Sequence, residues 1–90
     1  MTGSWNILKM EPCKLPQKLA TGFSEVTKEI VGASYEPVLY CATQLVAGTN
    51  HMLICNQTLV TNPPKKSIVK MILHETLDGK FIILSIENII

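Results

Sequence analysis

Three cysteines and two histidines are the residues in this 90-residue chain best suited to act as nucleophile, base or metal ligand. Thiol catalysis requires a base within hydrogen-bond reach of the sulfur. His51 and Cys55 are four positions apart, a separation of about 13 Å along a strand, so they do not make a dyad. No Cys-x-x-Cys occurs, and Cys13, His51 and His74 lack paired ligand spacing, so no metal site is expected. Nor does the chain carry a glycine-rich phosphate loop, a serine elbow or spaced catalytic carboxylates. The expectation is a protein that is not an enzyme and holds no cofactor.

Cys41 and Cys55 stand seven residues on either side of Gly48. A hairpin centred on that glycine brings them together across neighbouring strands as a disulfide. A register one residue different leaves them as buried free thiols. Both readings stay open, and the odd number of cysteines leaves at least one thiol unpaired in a monomer.

Eight lysines, seven acids and no arginine give a net charge of +1. Arginine is the residue best fitted to bidentate phosphate and guanine contacts, so nucleic acid is not an expected partner. Lys65, Lys66 and Lys70 beside Pro63-Pro64 read as a solvated loop and its flank. Asn56-Gln57-Thr58 matches the glycosylation sequon, which matters only in a eukaryotic secretory pathway. With 47% hydrophobic and 17% charged residues, the composition is that of a folded core, and the length suits a single domain spanning 1–90. No apolar run approaches the roughly 20 residues of a membrane span, so no membrane association is expected. Met1 to Asn6 lacks a secretory signal pattern, which leaves a cytoplasmic protein or an exported one whose signal has been removed.

The elements that position these residues are legible from periodicity. Thr2 to Lys9 reads as a short strand ended by Glu11-Pro12. Leu15, Leu19, Phe23, Val26 and Ile30 are spaced by four, four, three and four, which places them on one helical stripe. Pro16 suits the first turn of that helix and Gly32 the left-handed position after its end. Gly22 near the stripe costs about 1 kcal/mol against alanine in a helix interior, a cost that close approach to a sheet would offset. Thereafter strand-forming residues dominate. Glu36–Leu45 and Asn50–Val60 form one hairpin across Val46-Ala47-Gly48-Thr49. Thr61 to Lys66 is a loop. Ser67–Thr76 and Lys80–Asn88 form a second hairpin, with Asp78-Gly79 in a type I′ turn. The fold class is α+β, one helix packed on a curled antiparallel sheet of four to five strands.

Gln44-Leu45-Val46-Ala47-Gly48, extended by Thr49-Asn50, resembles the Gln-x-Val-x-Gly loop of the cystatin and stefin family of cysteine protease inhibitors. The order of elements is also similar: a glycine near the N-terminus, a helix, then two hairpins with the motif at the first tip. Gly32 to Val38, reading Gly-x-x-Tyr-x-Pro-Val, resembles small bacterial cystatin-like proteins. The resemblance covers Gly3 to Ile90. It implies a cystatin-like fold and reversible inhibition of papain-like cysteine proteases by a wedge of three segments. Carried over, these are Gly3 with Ser4, Gln44, Leu45, Val46, Ala47 and Gly48, and Leu77, Asp78 and Gly79. The family's second tip usually carries Pro-Trp or Leu-Pro, and this chain departs from it with Leu77-Asp78-Gly79. The alternative is a non-inhibitory binding or structural module on the same fold. The sole tryptophan, Trp5, reads either as a core residue of the first strand or as an exposed anchor. A monomer is expected, with hairpin exchange at Val46-Ala47-Gly48 as a route to a swapped dimer.

Overall fold

The computed structural model describes residues 3–10 and 14–90, so Cys13 and the Glu11-Pro12 break lie outside the described residues. The elements follow the order β1 (Trp5–Ile7), α1 (Gln17–Thr27), β2 (Ala33–Val46), β3 (Gly48–Leu59), β4 (Lys65–Glu75) and β5 (Phe81–Asn88). The five strands form one antiparallel sheet in sequence order, β1-β2-β3-β4-β5. The architecture is α+β, and no helix among the described residues is long and apolar enough to cross a membrane.

The helix packs its apolar stripe onto one face of the sheet. Leu19 and Phe23 meet Leu53 and Cys55 of β3 and Val69, Met71 and Leu73 of β4, and Leu15 and Val26 pack at the margin. Alternate residues of β3 and β4 point inward, as strand geometry requires, so the core is built at period two from the sheet and at period three to four from the helix. Gly22 is where the helix comes closest. A Cβ there would clash with the edge of the Phe81 ring of β5. That contact accounts for a glycine within the helix. Pro16 occupies the N-cap with φ −54° and ψ 144°, one position ahead of the first turn, and its carbonyl accepts the first helical bond from Ala20 at 2.9 Å. Gly32 does have a positive φ of 85°, but it does not cap the helix, which ends at Thr27. It turns the chain into β2 and accepts a bond from Val60 N at 2.9 Å.

Strand β2 carries two register shifts against β3, leaving Val38 and Cys41 without partners in the ladder. Bulges of this kind bend a strand and strengthen its twist. The cysteines are set apart by the hairpin register, which is centred on Ala47 and not on Gly48, and the bulges add to the offset. Cys55 pairs with Pro37, while Cys41 sits in the second bulge beside Tyr40 and Ala42. Both are buried free thiols, so the register centred on Gly48 is not adopted and no bridge forms. Strand β4 begins at Lys65, so Lys65 and Lys66 belong to its exposed end and not to the preceding loop. Trp5 pairs with Gln44 and is half-buried outside the core cluster, on the sheet face turned away from α1.

Candidate functional site

The segments singled out in the sequence meet at one end of the sheet. Strands β2 and β3 are joined through Ala47 alone, with Val46 paired to Gly48, so the tip is tighter than the four-residue connection expected. Leu45 is 74% exposed, Ala47 is exposed and Val46 half-buried. Gly48 is buried, with φ 103°. A Cβ on Gly48 would sit deep inside contact distance of the Glu75 carbonyl oxygen of β4. The glycine is therefore required by the sheet, where β3 lies against the end of β4.

The N-terminal segment is tied to this tip by backbone and side chain together. Gly3 N donates to Leu45 O at 2.9 Å, and Gln44 Nε2 donates to Gly3 O at 2.9 Å. Gln44 Oε1 accepts from Asn50 Nδ2 at 3.0 Å, and Asn50 Oδ1 accepts from His74 Nδ1 at 2.7 Å. Each link fixes the next amide's orientation, so His74 carries its proton on Nδ1 in this arrangement. The result is a continuous chain of side-chain bonds from β4 through β3 and β2 to Gly3. Ser4 is exposed beside it.

The second tip, Leu77-Asp78-Gly79, lies beyond Glu75 at the same end. Thr76 N donates to Lys80 O at 2.8 Å and Gly79 N to Thr76 O at 3.0 Å. With Gly79 at φ 88°, this is a three-residue loop with glycine in the left-handed position, and not the two-residue type I′ turn expected from Asp-Gly. Asp78 is part of the turn: Thr76 Oγ1 donates to its carboxylate and accepts from Lys80 N. Leu77 is 84% exposed. The tip thus offers one apolar side chain and one charge that is bonded within its own loop.

A second polar chain runs on the inner face behind the tips. His51 is buried on the core side of β3, where a polar ring needs partners. Its Nε2 lies 3.0 Å from Glu75 Oε1 and its Nδ1 2.6 Å from Tyr40 Oη, while Lys18 Nζ is 2.8 Å from Glu75 Oε2. A carboxylate only accepts, so His51 donates from Nε2, while its Nδ1 shares the second hydrogen bond with the Tyr40 hydroxyl. The bond from Lys18 holds the Glu75 carboxyl below its ordinary range, with His51 adding to it and burial opposing. Burial, and then the Glu75 charge, push the Tyr40 phenol up. A raised phenol and a buried imidazole give no exposed nucleophile, so this chain ties α1, β2, β3 and β4 together. Sequence spacing missed it because its members are far apart, although the parity of His51 with Leu53 and Cys55 was a signal that it faces inward.

No family model, curated protein or solved structure matches the chain. No group of three or more potential metal ligands occurs among the described residues. A groove of about 590 Å³ between α1 and the start of β5 is lined by Lys18, Gly22, Val26, Lys80 and Phe81 among others, but its Lys18 is already engaged by Glu75. The thiols are the remaining reactive groups. Burial pushes Cys41 up, and burial followed by the neighbouring Cys41 pushes Cys55 up to about 12. A thiol is nucleophilic as the thiolate. Cys55 is therefore expected to resist iodoacetamide at pH 8 in the native protein and to label in denaturant. Peptide mass spectrometry checks this, and rapid native labelling at Cys55 would contradict its buried position.

Proposed function

We propose that the chain is a cystatin-like inhibitor that blocks the cleft of papain-like cysteine proteases reversibly, by inserting the first hairpin tip with the N-terminal segment and the second tip beside it. The observation that carries the reading is the tie between Gly3 and the motif loop, through Gly3 N to Leu45 O and Gln44 Nε2 to Gly3 O. It supports a wedge whose parts are ordered before binding, so that less entropy is lost on docking. Exposed Leu45 and Leu77 supply apolar area at the same end. Burying each fully is worth about 1.5–3 kcal/mol. The element order and the sequence-order sheet are compatible with this family's layout.

The second reading, a non-inhibitory binding or structural module, is favoured by Asp78. Its carboxylate is fixed in the loop by Thr76 and stays exposed, so docking of this tip into an apolar site requires stripping water from a charge.

Titration of a papain-type protease with the native chain separates the two. Inhibition is expected, and its absence at high micromolar inhibitor overturns the first reading. Ala47→Arg is the diagnostic variant because Ala47 is exposed and needs no special packing. It is expected to weaken inhibition at least about 100-fold, the scale of a central contact, with an unchanged melting temperature. Equal inhibition by native and Ala47→Arg chains would remove the first tip from the contact.

A further inference from the structure

The helix covers one face of the sheet, and the opposite face carries a patch of apolar side chains. Residues paired across antiparallel strands share a face. Gln44, Asn50 and His74 are paired in register and bonded through their side chains, which marks their face as the one away from α1. Trp5 and Ile82 lie at the two ends of that same row, on β1 and β5. The next row along the strands holds Ile7, Met52 and Ile72, and Ile54 follows on β3. Ile7 is 75% and Ile82 51% exposed, and the other four are half-buried only by their neighbours in the sheet. A free face of an antiparallel sheet is ordinarily polar. This one carries an apolar patch on β1 to β4, formed by Ile7, Ala42, Met52, Ile72, Leu39 and Ile54, between the bonded Gln44-Asn50-His74 row and the Lys70–Glu87 pair.

We infer that this face is the contact between two copies of the chain, packed sheet to sheet about a two-fold axis. Two features on the face select a second copy over other occupants. Its charges beside Ile54 are Lys70 and Glu87, cross-strand partners 3.8 Å apart, so the patch is locally neutral and gives no purchase to a polyanion or an anionic membrane. An identical neutral face meets it without repulsion. The size also fits. Strands β2 to β5 over about seven residues, with the three residues of β1, make roughly 500 Å² in projection. Side-chain relief raises this toward the ~600 Å² per partner at the lower end of standard interfaces. Sheets packed in this way lie about 10 Å apart with strands about 30° from parallel. The two tips lie at the end of the sheet and stay open in such a dimer, so the inference stands apart from the protease reading.

Sedimentation velocity from about 1 µM to 1 mM, with Trp5 emission recorded over the same range, tests it. The expected result is a monomer–dimer equilibrium accompanied by a blue shift of Trp5 as the face is covered. Ile72→Lys, which enters the contact twice in a symmetric pair, is expected to weaken dimerisation at least about 100-fold. Ile82→Lys, at an already exposed position on the outermost strand, is the second variant should Ile72→Lys fail to fold. A chain that stays monomeric at 1 mM overturns the inference. A dimer that survives both substitutions, or forms with no change in Trp5 emission, overturns it in favour of hairpin exchange.

Discussion

Replacing Gly48 by alanine is expected to lower the melting temperature by more than about 12 °C, at the usual 4–8 °C per kcal/mol for a domain of this size. Two costs combine. An L-residue at φ 103° carries a strain of about 1–2 kcal/mol. The added Cβ also meets the Glu75 carbonyl, which belongs to the backbone of β4 and does not swing aside as a side chain would. Together they amount to about 3–5 kcal/mol, a large part of the 5–15 kcal/mol that holds small domains folded. A melt within about 3 °C of the native chain would show that β4 yields and that the contact is soft. The result bears directly on any inhibition assay. Loss of inhibition in a Gly48 variant would report a damaged sheet as readily as a missing contact, and for that reason Ala47, and not Gly48, is the position at which to probe docking.

The second large effect is expected at His51. His51→Ala removes a buried ring that packs 6.0 Å from the Phe81 ring and leaves Tyr40 Oη and Glu75 Oε1 without their partner. A cavity and two unsatisfied groups cost about 3 kcal/mol in urea unfolding at pH 7. A loss below about 1 kcal/mol would mean that water replaces the ring. Glu75 adds a pH dependence of definite sign. Its carboxyl titrates lower in the folded chain than in the unfolded one. Its contribution is therefore complete above the ordinary glutamate range and is lost as pH falls through the depressed folded value. The stability gap between the native chain and Glu75→Gln should narrow steadily on acidification below that range. A gap that holds constant down to pH 3 would rule out an ionised Glu75 as the source.

The helix was legible because Leu19, Phe23 and Val26 of the apolar stripe record one inward face, with Leu19 and Phe23 in the core, but the stripe overran the helix, since Leu15 precedes Gln17 and Ile30 follows its end at Thr27. Gly22 was legible for a similar reason: a glycine within such a stripe signals a close neighbour, which is Phe81. Strand existence was also readable from residue type. What escaped were features decided by the sheet as a whole. The bulges at Val38 and Cys41 shift the β2–β3 register, and no local residue signal marks them. The cysteines are separated first by the register, which is centred on Ala47 and would set Cys41 opposite Leu53, and the bulges move them further apart. Gly32 has the positive φ that its type announces, but the element it serves is the strand after it and not the helix before it. The tip motif itself was read from the chain, whereas the bonds from His74 through Asn50 and Gln44 to Gly3 depend on register across four strands and became visible only with the fold.

The sheet's sequential order has a consequence for how the molecule assembles. Strands β2 to β5 each pair with the next segment of chain, across Ala47, across residues 60–64 and across the Leu77 to Gly79 loop. Closing such short loops costs little entropy. Strand β1 is different, since Ile7 reaches Ala42 only after the helix and the whole of β2 have been laid down, and its three residues return few contacts for that larger closure. The N-terminal segment is thus expected to dock last in folding and to detach first in local opening. The end of the molecule that presents the two tips is finished by its shortest strand, and the bonds from Gly3 N to Leu45 O and from Gln44 Nε2 to Gly3 O hold that strand's leading residue in place.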